Sequence, residues 1–438
     1  MKTGRSIINS ALNQFEKDFS IISNFDRITL DKDRRFAKEV FWGVIRNKSF
    51  IDFIIGQFTR KKPKKNILNI LRMGIYQLYF IDKVPQYAAL SETVSLAKTK
   101  EERGFINAVL RKLSKLEKKS FQKKPSFLEE ISIQCSHPLW LTEKWNKLFD
   151  FEKTLELSKI NNEHPVLTFR IHSFENSFQN IKNNLLKKLP SLKEGVWAQN
   201  SFTTQENISF LKLSEFKSGN LVIQNEASQL VALALDPKSH ETIIDACASP
   251  GVKTAHISQM MGNKGTILSI DKKESLKMKE NMERLHIKNV QFQKKDLYNY
   301  PPSKGGDLLP KVEKILLDAP CSGWGIIRHH PEIKWRQKPE DIEKLAELQK
   351  KIRDNLLPFL KKGGVFVYAV CTFSKEETLD FVEDTLKKYP TLKLQNLKDF
   401  LPKPCHAFID MNGCFLSTPL LAGPDGFFIA RFISVERC

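Results

Sequence analysis

The chain has 438 residues, 41% of them hydrophobic and 27% charged, which excludes a disordered chain and is too long for one ordinary core, so two or three domains are expected. A formal net charge of +20 points to a polyanionic partner. Seven scattered cysteines without a Cys-x-x-Cys pair argue against a zinc ribbon or a disulfide framework and for a reducing, cytoplasmic setting with no metal. The first residues lack a sustained apolar core, and no run approaches the ~18–20 apolar residues of a membrane span, so a soluble protein, expected to be a monomer, follows.

Residues 1–128 read as helices only. Phe36, Ala37, Val40, Phe41, Val44 and Ile45 recur at three and four, as do Ile67, Ile70, Leu71, Ile75 and Leu78, then Ala89, Val94 and Ala97, then Ile106, Val109 and Leu110. Turn-like or basic stretches such as Lys61-Lys-Pro-Lys-Lys65 separate them, as in a small antiparallel bundle. Charge concentrates here: residues 1–160 carry 31 Lys+Arg against 18 Asp+Glu, although any single Lys is more simply read as part of a solvated helix face.

Residues 129–235 read as a connecting α+β subdomain, with an amphipathic stretch around 139–157, an alternating strand at 166–171, and a strand running into a helix at 221–230. From 236 to 438 the pattern alternates strand and helix. Apolar runs at 242–244, 266–270, 290–293, 314–317, 365–370 and 427–432 are too continuous for a half-exposed sheet and predict a doubly wound, Rossmann-like, mostly parallel one. A Pro/Gly loop falls at 301–306.

The first of these strands ends at Asp245 and leads through Ala246-Cys-Ala-Ser-Pro-Gly-Val-Lys-Thr254 into a helix, so backbone amides can face a ligand. Asp271 closes the second strand, where a carboxylate can accept both ribose hydroxyls, and Asp296 closes the third, within reach of an adenine amino group. Each acid alone is more often a cap; together they indicate a bound adenine nucleoside. One glycine in the turn, Gly251, in place of Gly-x-Gly-x-x-Gly, favours S-adenosylmethionine over a dinucleotide.

Cys321, in Asp318-Ala-Pro-Cys-Ser-Gly323, and Cys371, in Tyr368-Ala-Val-Cys-Thr372, each stand where an apolar run gives way to small and polar residues. A lone buried Cys is usually packing, but two thiols leaving two parallel strands line one crevice. Cytosine C5 methylation needs such a pair, one thiolate to add to C6 and a second group to help the adduct eliminate. Thr372-Phe-Ser-Lys-Glu-Glu377 reads as a helix start that would support a thiolate at Cys371. Asp318 is placed to hydrogen-bond N3 or the exocyclic amine of the base, or merely to cap its turn. Arg328, His330, Lys334 and Trp335 offer cations and an aromatic face to RNA, or else surface charges and a core residue.

Taken together these motifs resemble the Sun/RsmB family of 16S rRNA cytosine-C5 methyltransferases, within the Nol/Nop/Sun group, over nearly the whole chain. The 1–128 bundle is similar to that family's NusB-like RNA-binding domain at 30–44, 71–78 and 104–111, and the 236–438 domain matches at 245–256, 318–323, 371–372 and 425–428. The resemblance implies that Cys247, Ala248, Ser249, Pro250, Gly251, Val252 and Lys253, with Asp271, Asp296 and Asp318, contact S-adenosylmethionine or border its site. It also implies that Cys371 is the nucleophile, that Cys321 assists product release, and that small-subunit rRNA is the partner. Val252, Asn225 and Trp324 depart from the family pattern. The same chemistry on tRNA, or a non-catalytic, antitermination-like RNA-binding scaffold, are the competing readings.

Overall fold

A computed structural model of the protein describes residues 4–19, 25, 28–174, 177–206, 210–300, 308–421 and 425–435; the 301–306 loop lies outside them. The chain divides into two compact units, residues 1–163 with 327–339, and residues 164–326 with 340–438. Among the described residues, no helix is long and apolar enough to cross a membrane.

The first unit is helical: α1 (Gly4–Asp18), α2 (Asp31–Arg46), α3 (Lys48–Phe58), α4 (Lys65–Phe80), α5 (Gln86–Val94), α6 (Lys100–Leu113), α7 (Leu128–Gln134), α8 (Leu139–Leu148) and α9 (Phe151–Ile160). α2 buries Ala37, Val40, Phe41, Val44 and Ile45, the stripe its spacing predicts. α4 is buried on nearly every side from Ile67 to Gln77, and is the central helix. Its buried Arg72 donates Nε (2.7 Å) and Nη2 (2.6 Å) to Asp52 of α3 and Nη1 to Glu16 of α1 (3.0 Å), so the guanidinium ties three helices together. α6 starts where Thr99 and Glu102 form a capping box. The amphipathic stretch around 139–157 is two helices, parted where Asp150 caps α9 by accepting from the Lys153 amide (2.8 Å).

Residues 327–339 belong to this unit, which corrects the expectation of an RNA-facing Lys334. Its side chain is fully buried, and Nζ donates to Arg46 O (2.8 Å), Ser136 O (2.8 Å) and Asn162 Oδ1 (3.0 Å). Trp335 packs against the helical core and its Nε1 donates to Ile45 O (2.8 Å). The segment reads as polar in sequence because its acceptors lie more than 170 positions away.

Among the described residues, the second unit holds two sheets. Four short antiparallel strands, β1 (Leu167–Ile171), β2 (Lys193–Glu194), β3 (Ser201–Thr204) and β4 (Leu221–Ile223), run in the order β2-β3-β1-β4. The large sheet contains β5 (Thr242–Ala246), β6 (Thr266–Asp271), β7 (Val290–Lys294), β8 (Val312–Asp318), β9 (Leu360–Val370), β10 (Leu392–Gln395), β11 (Phe415–Ser417) and β12 (Phe427–Ser434), in the order β10-β12-β9-β8-β5-β6-β7 with β11 on β12. Each apolar run of the sequence is a strand here. β5 to β9 are parallel, while β12 runs antiparallel between β9 and β10. Val365–Val370 and residues 427–432 are buried throughout, which is why these runs do not alternate. The carboxyl ends of the parallel strands therefore share one edge.

Candidate active site at the carboxyl edge of the sheet

β8 and β9 pair in parallel with Asp318 opposite Ala369. Cys321 lies three residues beyond the first and Cys371 two beyond the second, so the two thiols meet, Sγ to Sγ, at 3.3 Å. The next residues pair as well: Ser322 Oγ is 2.7 Å from Thr372 Oγ1. Gly325 N donates to Cys371 O (3.1 Å) and Gly426 N to Gly325 O (2.9 Å). A Cβ at Gly325 would collide with the Gly426 backbone, so this close approach requires glycine. Trp324, a departure from the family pattern, is fully buried edge-on to Phe373.

Lys253 leads back to this edge from the helix Val252–Met260. Its Nζ is 2.6 Å from Asp318 Oδ2 and 5.5 Å from the Phe427 ring centroid. Burial works against its charge, but Asp318 and then Cys371 and Asp245 more than offset it and hold the ammonium above its usual range. The Cys321 thiol is pushed well above the ordinary thiol range, first by its hydrogen bond to Cys371 and then by burial. The helix expected directly after Cys371 begins only at Leu379; residues 374–377 form a turn in which Ser374 Oγ donates to Glu377 Oε2 (2.9 Å). The cation facing this thiol pair is Lys253, which sequence reasoning assigned to the cofactor. Its position one residue inside the helix, facing back over the strand ends, is the signal that was there to read.

The turn after β5 is tightly bonded. Ala248 N donates to Ile270 O (3.1 Å), Gly251 N to Ala248 O (2.7 Å), and Asn281 Nδ2 to Pro250 O (3.2 Å). Gly251 stands at φ 90° as the helix N-cap, and Val252 packs with Val222, Ala255, Met282 and Leu285 in ordinary helical backbone. Asp271 accepts from Ser249 N (3.0 Å) and Lys273 N (3.3 Å). The half-buried Cys247 thiol is pushed up by desolvation and by the carboxylates of Asp318, Asp271 and Asp245, which suits a packed thiol rather than a nucleophile.

Beside this turn is a cleft of about 390 Å³ lined by Ser249, Ser269, Asp271, Met278, Phe292 and Lys294 among others. Ser249 Oγ, Ser269 Oγ and, at the neighbouring strand end, Asp245 Oδ1 are buried without a protein partner. A strand-end carboxylate, an aromatic side chain and unpaired hydroxyls fit an adenosyl group. Asp296 does not line this cleft: it caps the turn Leu297–Asn299 and pairs with Lys272 (2.9 Å). Asn225 caps the helix Glu226–Leu235, accepting from Ala227 N (2.9 Å), and its amide contacts Asp425.

The chain is 33% identical over 414 residues to "Probable ribosomal RNA small subunit methyltransferase B" of Bacillus subtilis, covering 91% of this chain and 90% of the relative. It belongs to the RsmB/F family of 16S rRNA methyltransferases. That family's model matches residues 232–433, and the NusB family model matches residues 3–115. "Ribosomal RNA small subunit methyltransferase B" of Photorhabdus laumondii is 32% identical, covering 97% of this chain and 96% of the relative. Among solved structures, NSun6 from Pyrococcus horikoshii, crystallised with SFG, an S-adenosylmethionine analogue, superposes with a TM-score of 0.60 at 25% identity, over 68% of this chain and 99% of that one. The protein is accordingly an S-adenosylmethionine-dependent rRNA methyltransferase with a helical NusB-type domain and a Rossmann-like catalytic domain.

Proposed function

We propose that the methyltransferase modifies C5 of one cytosine in 16S rRNA through a covalent bond between Cys371 Sγ and C6 of the base. The observation that carries this reading is the 3.3 Å approach of the two thiols beside the Lys253–Asp318 pair. A thiolate at Cys371 adds to C6, and the electron pair displaced to C5 makes that carbon nucleophilic. Lys253 faces the anion and Asp318 bonds N3 or the exocyclic amine as charge develops on the ring. S-adenosylmethionine, when bound, supplies the electrophilic methyl group. Cys247 to Lys253 and Asp271 hold or border it, with Asp296 and Asp318 at its margins. Release requires that the C5 proton leave to a base, that its electron pair re-form the C5–C6 double bond, and that the C6–S bond break. Cys321 is the group positioned to assist.

The opposite assignment, with Cys321 as nucleophile because it follows Pro320 as the nucleophile of DNA cytosine methyltransferases follows a proline, is disfavoured by the resemblance to the RNA family, which puts the nucleophile at Cys371. The basic helical domain supplies RNA affinity. The test is transfer to small-subunit rRNA by the Cys371→Ala and Cys321→Ala variants: the first gives no methylation, the second a trapped adduct. Full activity of Cys371→Ala would reject the reading, and product on tRNA alone would change the substrate.

A further inference from the structure

We propose that Glu377 is a positioning residue for this reaction, holding the Cys321 and Cys371 loops in register through Ser322 and Gln349. The inference rests on the two-thiol reading above and names what keeps the thiols at their separation.

Glu377 is fully buried on the turn that follows Cys371. Its Oε1 accepts from Ser322 N (2.9 Å) and from Gln349 Nε2 (2.9 Å), and its Oε2 accepts from Ser374 Oγ (2.9 Å). Gln349 Nε2 also donates to Pro320 O (2.9 Å). Residues 320 and 322, on either side of Cys321, are therefore both held by Glu377 and its amide partner. Tyr368, on the strand that ends before Cys371, places its hydroxyl 2.7 Å from Glu377 O and 2.9 Å from Gln349 Oε1, with its ring stacked on Phe381 at 3.7 Å. Ser322 beyond β8, Gln349 of the helix Pro339–Leu356 and Ser374 of the turn thus converge on one carboxylate, while Tyr368 of β9 bonds the backbone carbonyl of the same residue.

A carboxylate buried this deeply is costly unless donors surround it, and burial lifts its pKa despite the donors it has. An apolar residue would fill the same space at lower cost. What the carboxylate adds is direction, because two oxygens set at a fixed angle hold the Ser322 backbone and the Ser374 hydroxyl at once. Since the thiols need sub-ångström placement to act on the same C5–C6 bond, loosening this clamp acts first on Cys321, whose loop has no strand of its own at that point.

The test compares Glu377→Gln with wild type and Cys321→Ala on rRNA with S-adenosylmethionine, reading kcat, KM for RNA, cofactor affinity and the fraction of protein trapped as RNA adduct on denaturing gels. The expected result is a kcat lower by on the order of a hundredfold, unchanged KM and cofactor affinity, and adduct accumulation like that of Cys321→Ala. Adding Glu377→Gln to Cys321→Ala should change adduct level little, since both act on one step. Gln349→Met, which leaves the carboxylate in place and removes the link to Pro320, should show the same split in milder form, and decides the matter if Glu377→Gln does not fold. A lower melting temperature with wild-type kcat and no adduct would overturn the positioning role. Absence of adduct in Cys321→Ala itself would move the release function to another group, and the positioning role would fall with it, whereas methylation by Cys371→Ala would reject the covalent reading.

Discussion

Cys321 Sγ and Cys371 Sγ lie 3.3 Å apart at the ends of neighbouring parallel strands. At that distance one thiol donates to the other, so the pair holds a single shared proton when one member is ionised. The hydrogen bond to Cys371, with burial, holds the Cys321 thiol well above the ordinary thiol range. Cys321→Ala removes the partner that assists release, and the expected outcome is a covalent RNA–protein band stable to denaturant, with methyl already transferred. Its absence under turnover conditions would move the release function to another group.

Lys253→Met separates two roles for one side chain. If the ammonium serves the thiol pair and Asp318, as its 2.6 Å ion pair indicates, turnover falls by on the order of a hundredfold while cofactor affinity is retained. Calorimetric titration with S-adenosylmethionine beside single-turnover rates gives the answer, and a loss of cofactor affinity equal to the loss of rate would return Lys253 to the cofactor.

Asp245 makes stability pH-dependent. Burial, partly countered by the Thr254 hydroxyl, pushes its carboxyl from 3.8 to about 7 in the folded protein. The folded state then binds more protons than the unfolded one between these values, so Asp245 removes stability as pH rises from about 4 to about 7 and nothing further above. Asp245→Asn abolishes that loss. Melting curves should show the variant gaining several degrees relative to wild type between about pH 5 and about pH 8; a pH-independent difference would contradict the shift.

Lys334→Met leaves Arg46 O, Ser136 O and Asn162 Oδ1 without their shared donor. The helical unit should lose about 3 kcal/mol, as buried acceptors are stranded. Denaturant titration measures it, and a change within about 0.5 kcal/mol would show the ammonium to be dispensable.

Strand positions and the thiols were legible because they rest on local pattern. The runs at 314–317 and 365–370 mark buried strands, and the polar residues after them mark the carboxyl edge of the sheet. The hidden parts depend on partners distant in the chain. β12 reads the same whether it runs parallel or antiparallel, since both of its faces are buried. Thr372-Phe-Ser-Lys-Glu-Glu377 has the composition of a helix start, but Glu377 turns inward to Ser322, 55 positions away, and delays the helix to Leu379. Lys334 looks solvated until its three oxygens are found, and the ion pair of Lys253 with Asp318 joins residues 65 positions apart.

The most direct test of the account is bisulfite sequencing of small-subunit rRNA incubated with S-adenosylmethionine and either wild type or Cys371→Ala. The account predicts one protected cytosine that appears with wild type and not with the variant. Protection that persists with Cys371→Ala would contradict it.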